Sequence, residues 1–506
     1  MIAQGLLPFK YEEERQGFGV TALGGLPTYL DLAEAWGMWK SIDRHVGMRG
    51  GQGWRDSDVV MSVVLLNLAG GECVEDVNRL EADEGFCRIL EKARKKSLNG
   101  RQKREEKRRW RRGKKCGVPS PSAVFRYLRG FHDGGQEGLR EEGKAYIPAP
   151  NMHLRGLGGV NRDLLSFVQR NRKEEGATLD MDATLVGTRK SNALFCYEGY
   201  RAYQPLNTWW SEQGMVVHTE FRDGNVPAGY EQLRVLKESL GCLPEGVKRV
   251  RLRSDTAGYQ HDLMRYCEMG KNERFGRIEF AIGCDVTREF KKAVGEVEDW
   301  KVLYREENGR RVETRREFAE VCFVPNAIGH SKKGPEYRYI AIREPMEEQL
   351  SLGGIEEARE YPFQTLKMAE RKYKLFGLVT NMDWDGQELI PWHYKRCGKS
   401  EEVHSVMKED LAGGKFPSGD FGENAAWWWI MVLALNLNAA MKGLVLGKGW
   451  IAKRMKAVRF HLIQLPARVI ERSRQLFVRL SKGHPSFQWL IKIRDTIAKL
   501  GPCPSG

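Results

Sequence analysis

No two of the ten cysteines (Cys73, Cys87, Cys116, Cys196, Cys242, Cys267, Cys284, Cys322, Cys397 and Cys503) stand in C-x2-C spacing. Thiols scattered in this way form neither a disulfide framework nor a zinc ribbon, and they suit a reducing compartment. His393, Cys397 and His404 also lack the paired spacing of a zinc finger. The first ten residues show no basic stretch followed by an apolar one, so no secretory signal is expected there. The most apolar stretch, residues 425–441 (AAWWWIMVLALNLNAAM), is short for a membrane span and carries Asn436 and Asn438. It reads as a buried core helix. A soluble, cytoplasmic protein without a membrane partner is the expectation. The chain has no internal repeat.

What the chain has in excess is positive charge. Its 506 residues carry 82 Lys+Arg against 67 Asp+Glu, a net of +15. Two segments hold this excess. Residues 92–115 contain 14 Lys/Arg against Glu105 and Glu106, and residues 451–494 contain 11 against Glu471. The rest of the chain is slightly acidic. A surface tuned only for solubility mixes the signs. Two basic segments with apolar residues interleaved point instead to a polyanion such as nucleic acid. The length allows two to four domains, and 41% hydrophobic residues can fill a sizeable core.

Hydrophobic periodicity divides the chain. Residues 1–91 read as an N-terminal helical region, 92–118 as a basic insertion or linker, and 119–176 as a further helical, DNA-binding region. At 177 the period changes to two. Strands are expected at 177–187, 209–224 and 247–254, with helices at 229–240 and 259–269, which makes an α/β core over 177–276. Residues 277–375 read as a β-rich insertion, with a hairpin signal at Glu307-Asn308-Gly309-Arg310. The core resumes over 376–447, and 448–506 is expected as a basic helical tail.

Chemistry concentrates at three places. In LDMDAT (179–184), Asp180, Asp182 and Thr184 share one face of a strand. A carboxylate in mid-strand is unfavourable unless it binds something. The two aspartates are equivalent by this criterion. A second strand, VKRVRLRSD, delivers Asp255 at its C-terminal end, where open α/β sheets gather functional groups. A helix over 400–411 offers Glu401 and Glu402. Two aspartates and a glutamate make a hard-oxygen site suited to Mg²⁺ or Mn²⁺. Two such ions about 4 Å apart activate an attacking oxygen and stabilise a leaving one. Cys397-Gly398-Lys399-Ser400 imitates the end of a P-loop, but His393 stands where that loop needs glycine. Glu401-x-x-His404 is half of a di-iron motif whose second half is missing.

Several of these motifs together resemble the DDE transposases of prokaryotic insertion sequences. LDMDAT is similar to the first-strand pattern of that family, and the match selects Asp182 over Asp180. SDTAGY (254–259) resembles the second-aspartate pattern. Gly199-Tyr200, Tyr203-Gln204-Pro205-Leu206 and RDGN (222–225) resemble the text between the two acids, and LVTN (378–381) the strand returning from the insertion. In the signature Y-x2-R-x3-E-x6-K, Tyr394, Glu401 and Lys408 fill three slots. Cys397 occupies the arginine slot, with Arg396 one residue early, and Glu402 would break the lysine spacing.

The resemblance implies an RNase H-like catalytic core interrupted by the β-rich insertion, with helical N-terminal and basic C-terminal regions. It implies two Mg²⁺ (or Mn²⁺) ions held by Asp182, Asp255 and Glu401, and backbone-phosphate contacts from Tyr394, Arg396 and Lys408. The reaction implied is cut-and-paste transposition on double-stranded DNA, both element ends and target, by a homodimer in the synaptic complex. Trp300 or Trp384 would be candidates to stack on an extruded base. An RNase H-like nuclease and a domesticated DNA-binding regulator are the alternative readings.

Overall fold

The computed structural model describes residues 19–48, 53–96, 98, 100–109, 117–307, 309–325, 336–346, 361, 363–368 and 371–500. The chain forms two compact units. One comprises Met1–Glu137, Pro150–Phe167 and Val406–Gly506; the other comprises Gly138–Ala149 and Val168–Ser405.

The second unit is built on a ten-stranded sheet. Its strands in chain order are β1 (Gly176–Ala183), β2 (Leu206–Trp210), β3 (Met215–Glu220), β4 (Arg249–Ser254), β5 (Glu279–Cys284), β6 (Lys301–Glu307), β7 (Arg310–Val321), β8 (Arg338–Pro345), β9 (Thr365–Met368) and β10 (Arg371–Thr380). Across the sheet the order is β3-β2-β1-β4-β5-β10-β8-β7-β6, with β9 also paired to β10. Strand β4 runs parallel to both β1 and β5; every other pairing is antiparallel. Parallel neighbours need crossover connections. Helix α1 (Gln232–Cys242) leads into β4, and α2 (His261–Glu268) joins β4 to β5. Helix α3 (Arg288–Gly295) follows β5, and α4 (Gly386–Ser405) follows β10.

The stretch expected as a β-rich insertion is not a separate layer. Strand β5 lies between β4 and β10, and β6 to β10 prolong the same sheet. The hairpin expected at 307–310 is present, with Glu307 paired to Arg310 and Gly309 at a φ of +76°. Pairing between β5 and β10 spans about a hundred residues of chain, which hydrophobic period alone does not reveal.

The first unit is mainly helical. The helix Phe421–Ala440 is buried along almost its whole length and packs on Asp56–Ala69. Continued to Leu446 it is long and apolar enough to cross a membrane by length and composition, yet two-thirds of its apolar window is buried. Its polar groups are matched inside this unit. Asn436 donates to Asn161 Oδ1 (2.7 Å), Tyr29 donates to Asn438 Oδ1 (2.8 Å), and Trp427 Nε1 donates to the Ala412 carbonyl (3.0 Å). Bonds of this kind suit a protein core.

The C-terminal tail departs from the helical expectation in its middle, while Phe487–Lys499 is a helix. Ala467–Arg472 and Gln475–Arg479 form a hairpin, and Val20–Thr21 adds a third strand. The hairpin turns on Ser473 and Arg474, both at positive φ (50° and 67°). A tight hairpin demands that geometry. Ser-Arg is not a residue pair that signals it, so the turn is invisible in the sequence. In the basic stretch near 92–118 the chain is helical at Glu84–Lys96 and Gly100–Arg109, and 110–116 lie outside the described residues.

Candidate active site

Strands β1 and β4 carry the first two acids. Their register pairs Asp180 with Arg253 and Met181 with Ser254. Asp182 and Asp255 are each one position further on, so both stand where two adjacent parallel strands end. Asp255 lies at the turn after β4, and its Oδ1 accepts from the Ala257 amide (3.1 Å).

Asp180 and Asp182 point to the same face of β1 but have different surroundings. Asp180 is buried and forms a two-pronged pair with Arg253, with Nε to Oδ1 at 2.6 Å and Nη2 to Oδ2 at 2.7 Å. Burial pushes its carboxyl above the usual carboxylate range, opposed by the hydrogen bonds and charge of Arg253. Arg253 also donates to the Trp392 carbonyl (2.6 Å) and Ser211 Oγ (3.1 Å), and its guanidinium lies over the Trp392 ring. Asp180 is therefore committed within the unit. Asp182 is partly exposed, and its Oδ2 lies 3.5 Å from Arg396 Nη1.

Helix α4 supplies the remaining candidates. Leu389, Ile390, His393, Arg396 and His404 are among its buried positions. His393 Nε2 donates to the carbonyl of Ser254, the residue before Asp255 (3.0 Å). Burial pushes the His393 imidazole down to about 4, so it is neutral near pH 7. Arg396 is buried, and its Nε has no hydrogen-bond partner among the described residues. Glu401 and Glu402 are both exposed. At 100° per residue, Glu401 sits on the flank of the face that carries His393 and His404, whereas Glu402 points to the opposite side.

Tyr394 is partly buried against the cluster of Leu303, Phe318 and Ile340, with the Arg316 guanidinium over its ring at 5.2 Å. Lys408 belongs to the other unit, in a π-helical turn, Val406–Asp410. Both tryptophans that were candidates for base stacking are engaged. Arg343 lies 3.9 Å over Trp300, and Trp384 meets Trp392 edge-on with Arg251 over it.

Among the described residues, the one group of three whose His or carboxylate ligand atoms all lie within 4.8 Å is His132, Glu137 and Asp420, in the first unit. Glu137 there accepts from the amides of Phe421 and Gly422 and so caps the core helix. Asp182, Asp255 and Glu401 do not converge that closely. The structure brings the two aspartates to neighbouring strand ends and leaves Glu401 on the exposed flank of α4.

Comparison with protein families gives one decisive result. The family described as "Transposase DDE domain group 1" matches residues 15–502. The chain belongs to that family. Among solved structures it is similar to a piggyBac transposase synaptic complex with hairpin DNA, at 11% identity and a TM-score of 0.44, covering 94% of this chain and 86% of that one. Comparison with curated proteins gives no match.

Within this DDE transposase domain, sequence reasoning left two polar residues out of the site. Asn207 is paired across the strands with Asp182. Thr219 Oγ1 donates to its Oδ1 (2.7 Å), which turns its amide N–H toward His404 Nε2 (3.4 Å). His404 had been considered only as a metal ligand. The chain Thr219–Asn207–His404 ties the last turn of α4 to the strand beside Asp182. The signal for it was strand alternation in β2, which places Asn207 and Trp209 on one face.

Proposed function

We propose that this transposase cleaves phosphodiester bonds at the ends of a prokaryotic insertion sequence and transfers the freed strand into target DNA by cut-and-paste. The single observation that carries this reading is the placement of Asp182 and Asp255 at the ends of adjacent parallel strands in a chain of the DDE family. The order β3-β2-β1-β4-β5, with only β1, β4 and β5 mutually parallel, supports an RNase H-like core.

Asp182, Asp255 and Glu401 are the residues that would hold two Mg²⁺ or Mn²⁺ ions. The donor set fits. It is all hard oxygen, both aspartates are accessible at strand ends, and a two-ion site does not need all three acids within one ion's coordination shell. Such ions supply electrostatic stabilisation to the attacking and leaving oxygens of a phosphodiester. The residues around them orient the acids. Arg253 neutralises Asp180 and holds α4 through the Trp392 carbonyl, and His393 fixes the backbone at Ser254. Arg396, which lies beside Asp182, and Tyr394 are assigned backbone-phosphate contacts by their places in the signature, as positioning rather than sequence-reading contacts. Lys408 is assigned the same role by its place in the signature. Joining two ends calls for a homodimer, and free thiols suit the cytoplasm.

The test is incubation of purified protein with Mg²⁺ and a labelled element end, mapping the nick. Asp182→Ala, Asp255→Ala and Glu401→Ala each abolish cleavage and retain end binding. Cleavage by Glu401→Ala together with none by Glu402→Ala would overturn the choice of third acid.

A further inference from the structure

The motif text between the first two acids builds something other than the acid site. Past Asp182 the β1–β2 hairpin continues as a short ribbon. Val186 pairs with Tyr203, Gly187 with Ala202, and Thr188 donates to the Arg201 carbonyl. The tip of this ribbon, residues 189–201, exposes three aromatic side chains. Tyr197 is 80% exposed, Phe195 45% and Tyr200 40%.

The tip is held in a fixed shape. Gly199, at a φ of +81°, closes its turn by donating to the Cys196 carbonyl, and Cys196 donates to the Tyr200 carbonyl. A second segment braces it from beneath. Arg140 forms a buried pair with Asp223 (2.6 and 2.7 Å) and donates to the Asn192 carbonyl, and the Glu142 carboxylate accepts from the Phe195 amide. Gly224 completes the brace, since a Cβ there would lie 2.8 Å from the Ala202 carbonyl. A loop braced this firmly, yet with its largest apolar groups turned outward, is built for contact.

The neighbouring charges decide the kind of partner. Arg189 and Lys190 precede the aromatics in the chain, Glu198 lies between Tyr197 and Tyr200, and the Arg201 guanidinium stacks on one face of Phe195 at 4.4 Å, so the tip carries three cations against one acid. Exposed rings with an excess of cations beside them form a platform on which unpaired bases stack, because duplex DNA hides base faces. Six residues separate Asp182 from Thr188, a reach of at most about 20 Å. At about 3.4 Å per stacked base, the base of the tip is at most roughly six nucleotides from Asp182.

We propose that the 189–201 tip is a stacking site for unpaired DNA flanking the cut. The proposal rests on the transposase reading above. Its test compares binding of the full chain to a blunt duplex and to the same duplex carrying an eight-nucleotide single-stranded tail. The wild-type protein binds the tailed duplex about tenfold more tightly. The triple variant Phe195→Ala/Tyr197→Ala/Tyr200→Ala loses that preference and keeps its affinity for blunt duplex, while Tyr197→Phe retains the preference. The proposal is overturned if the triple variant keeps the preference, or if it changes the oligomeric mass in place of DNA affinity, which would make the tip a contact between copies of the chain. Failure of the wild-type protein to bind either duplex would instead strike the transposase reading itself.

Discussion

Asp180 and Asp182 are two residues apart on the same face of one strand, and each lies beside an arginine. Asp180 is buried in a two-pronged pair with Arg253, with both oxygens committed. Asp182 is at the strand end, partly exposed, with Arg396 at a longer 3.5 Å. The first pair ties β1 to β4, and Arg253 also reaches the Trp392 carbonyl of α4; the second leaves a carboxylate partly exposed. Depth in the sheet separates an aspartate that supports the site from one that can act in it.

Substitution should separate the two roles. Asp182→Ala should lower cleavage roughly 10²–10³-fold or more, the scale of losing one strong electrostatic group, with stability changed by less than about 1 kcal/mol. Asp180→Ala should do the reverse first. It leaves Arg253 buried and uncompensated, at a cost of about 3–5 kcal/mol in denaturant unfolding. Equal stability losses in the two variants would break the comparison.

The same region predicts an acid sensitivity. His393 is held near 4 in the folded chain against its ordinary 6.5. Between those values the unfolded chain binds more protons, so stability falls as pH drops from about 6.5 toward 4, by on the order of 3 kcal/mol in full. Urea midpoints measured across that window should show the loss, and His393→Gln should reduce it. The smallest expected effect is at Arg396. Arg396→Gln removes a cation competing for Asp182, so half-saturation of cleavage should need a few-fold less Mg²⁺, equivalent to about 1 kcal/mol or less.

Much of this was legible in the sequence. The change of period at 177 located β1, and the strand-end position of Asp255 followed from the text before it. The difference between Asp180 and Asp182 was not legible, because it depends on Arg253 lying opposite Asp180 across a pairing of strands 73 residues apart. The family resemblance, not periodicity, selected Asp182. Helical spacing favours Glu401 over Glu402 by orientation, while nothing in VMKED announces the π-turn that holds Lys408. The extension of the sheet by β6 to β10 was hidden for a similar reason, since strand period reports faces and not partners. The exposed ring of Tyr197 lies just before the Gly199-Tyr200 motif, and its brace, Arg140 and Glu142, lies more than fifty residues earlier.

Replacing the first acid by a thiol tests direct ligation most closely. Asp182→Cys, assayed on a labelled element end, should fail to nick in Mg²⁺ and recover in Mn²⁺, since a thiolate is a poor ligand for the harder ion. Undiminished nicking by Asp182→Cys in Mg²⁺, or nicking by the wild-type protein with no divalent ion present, would contradict the assignment of Asp182 as a metal ligand.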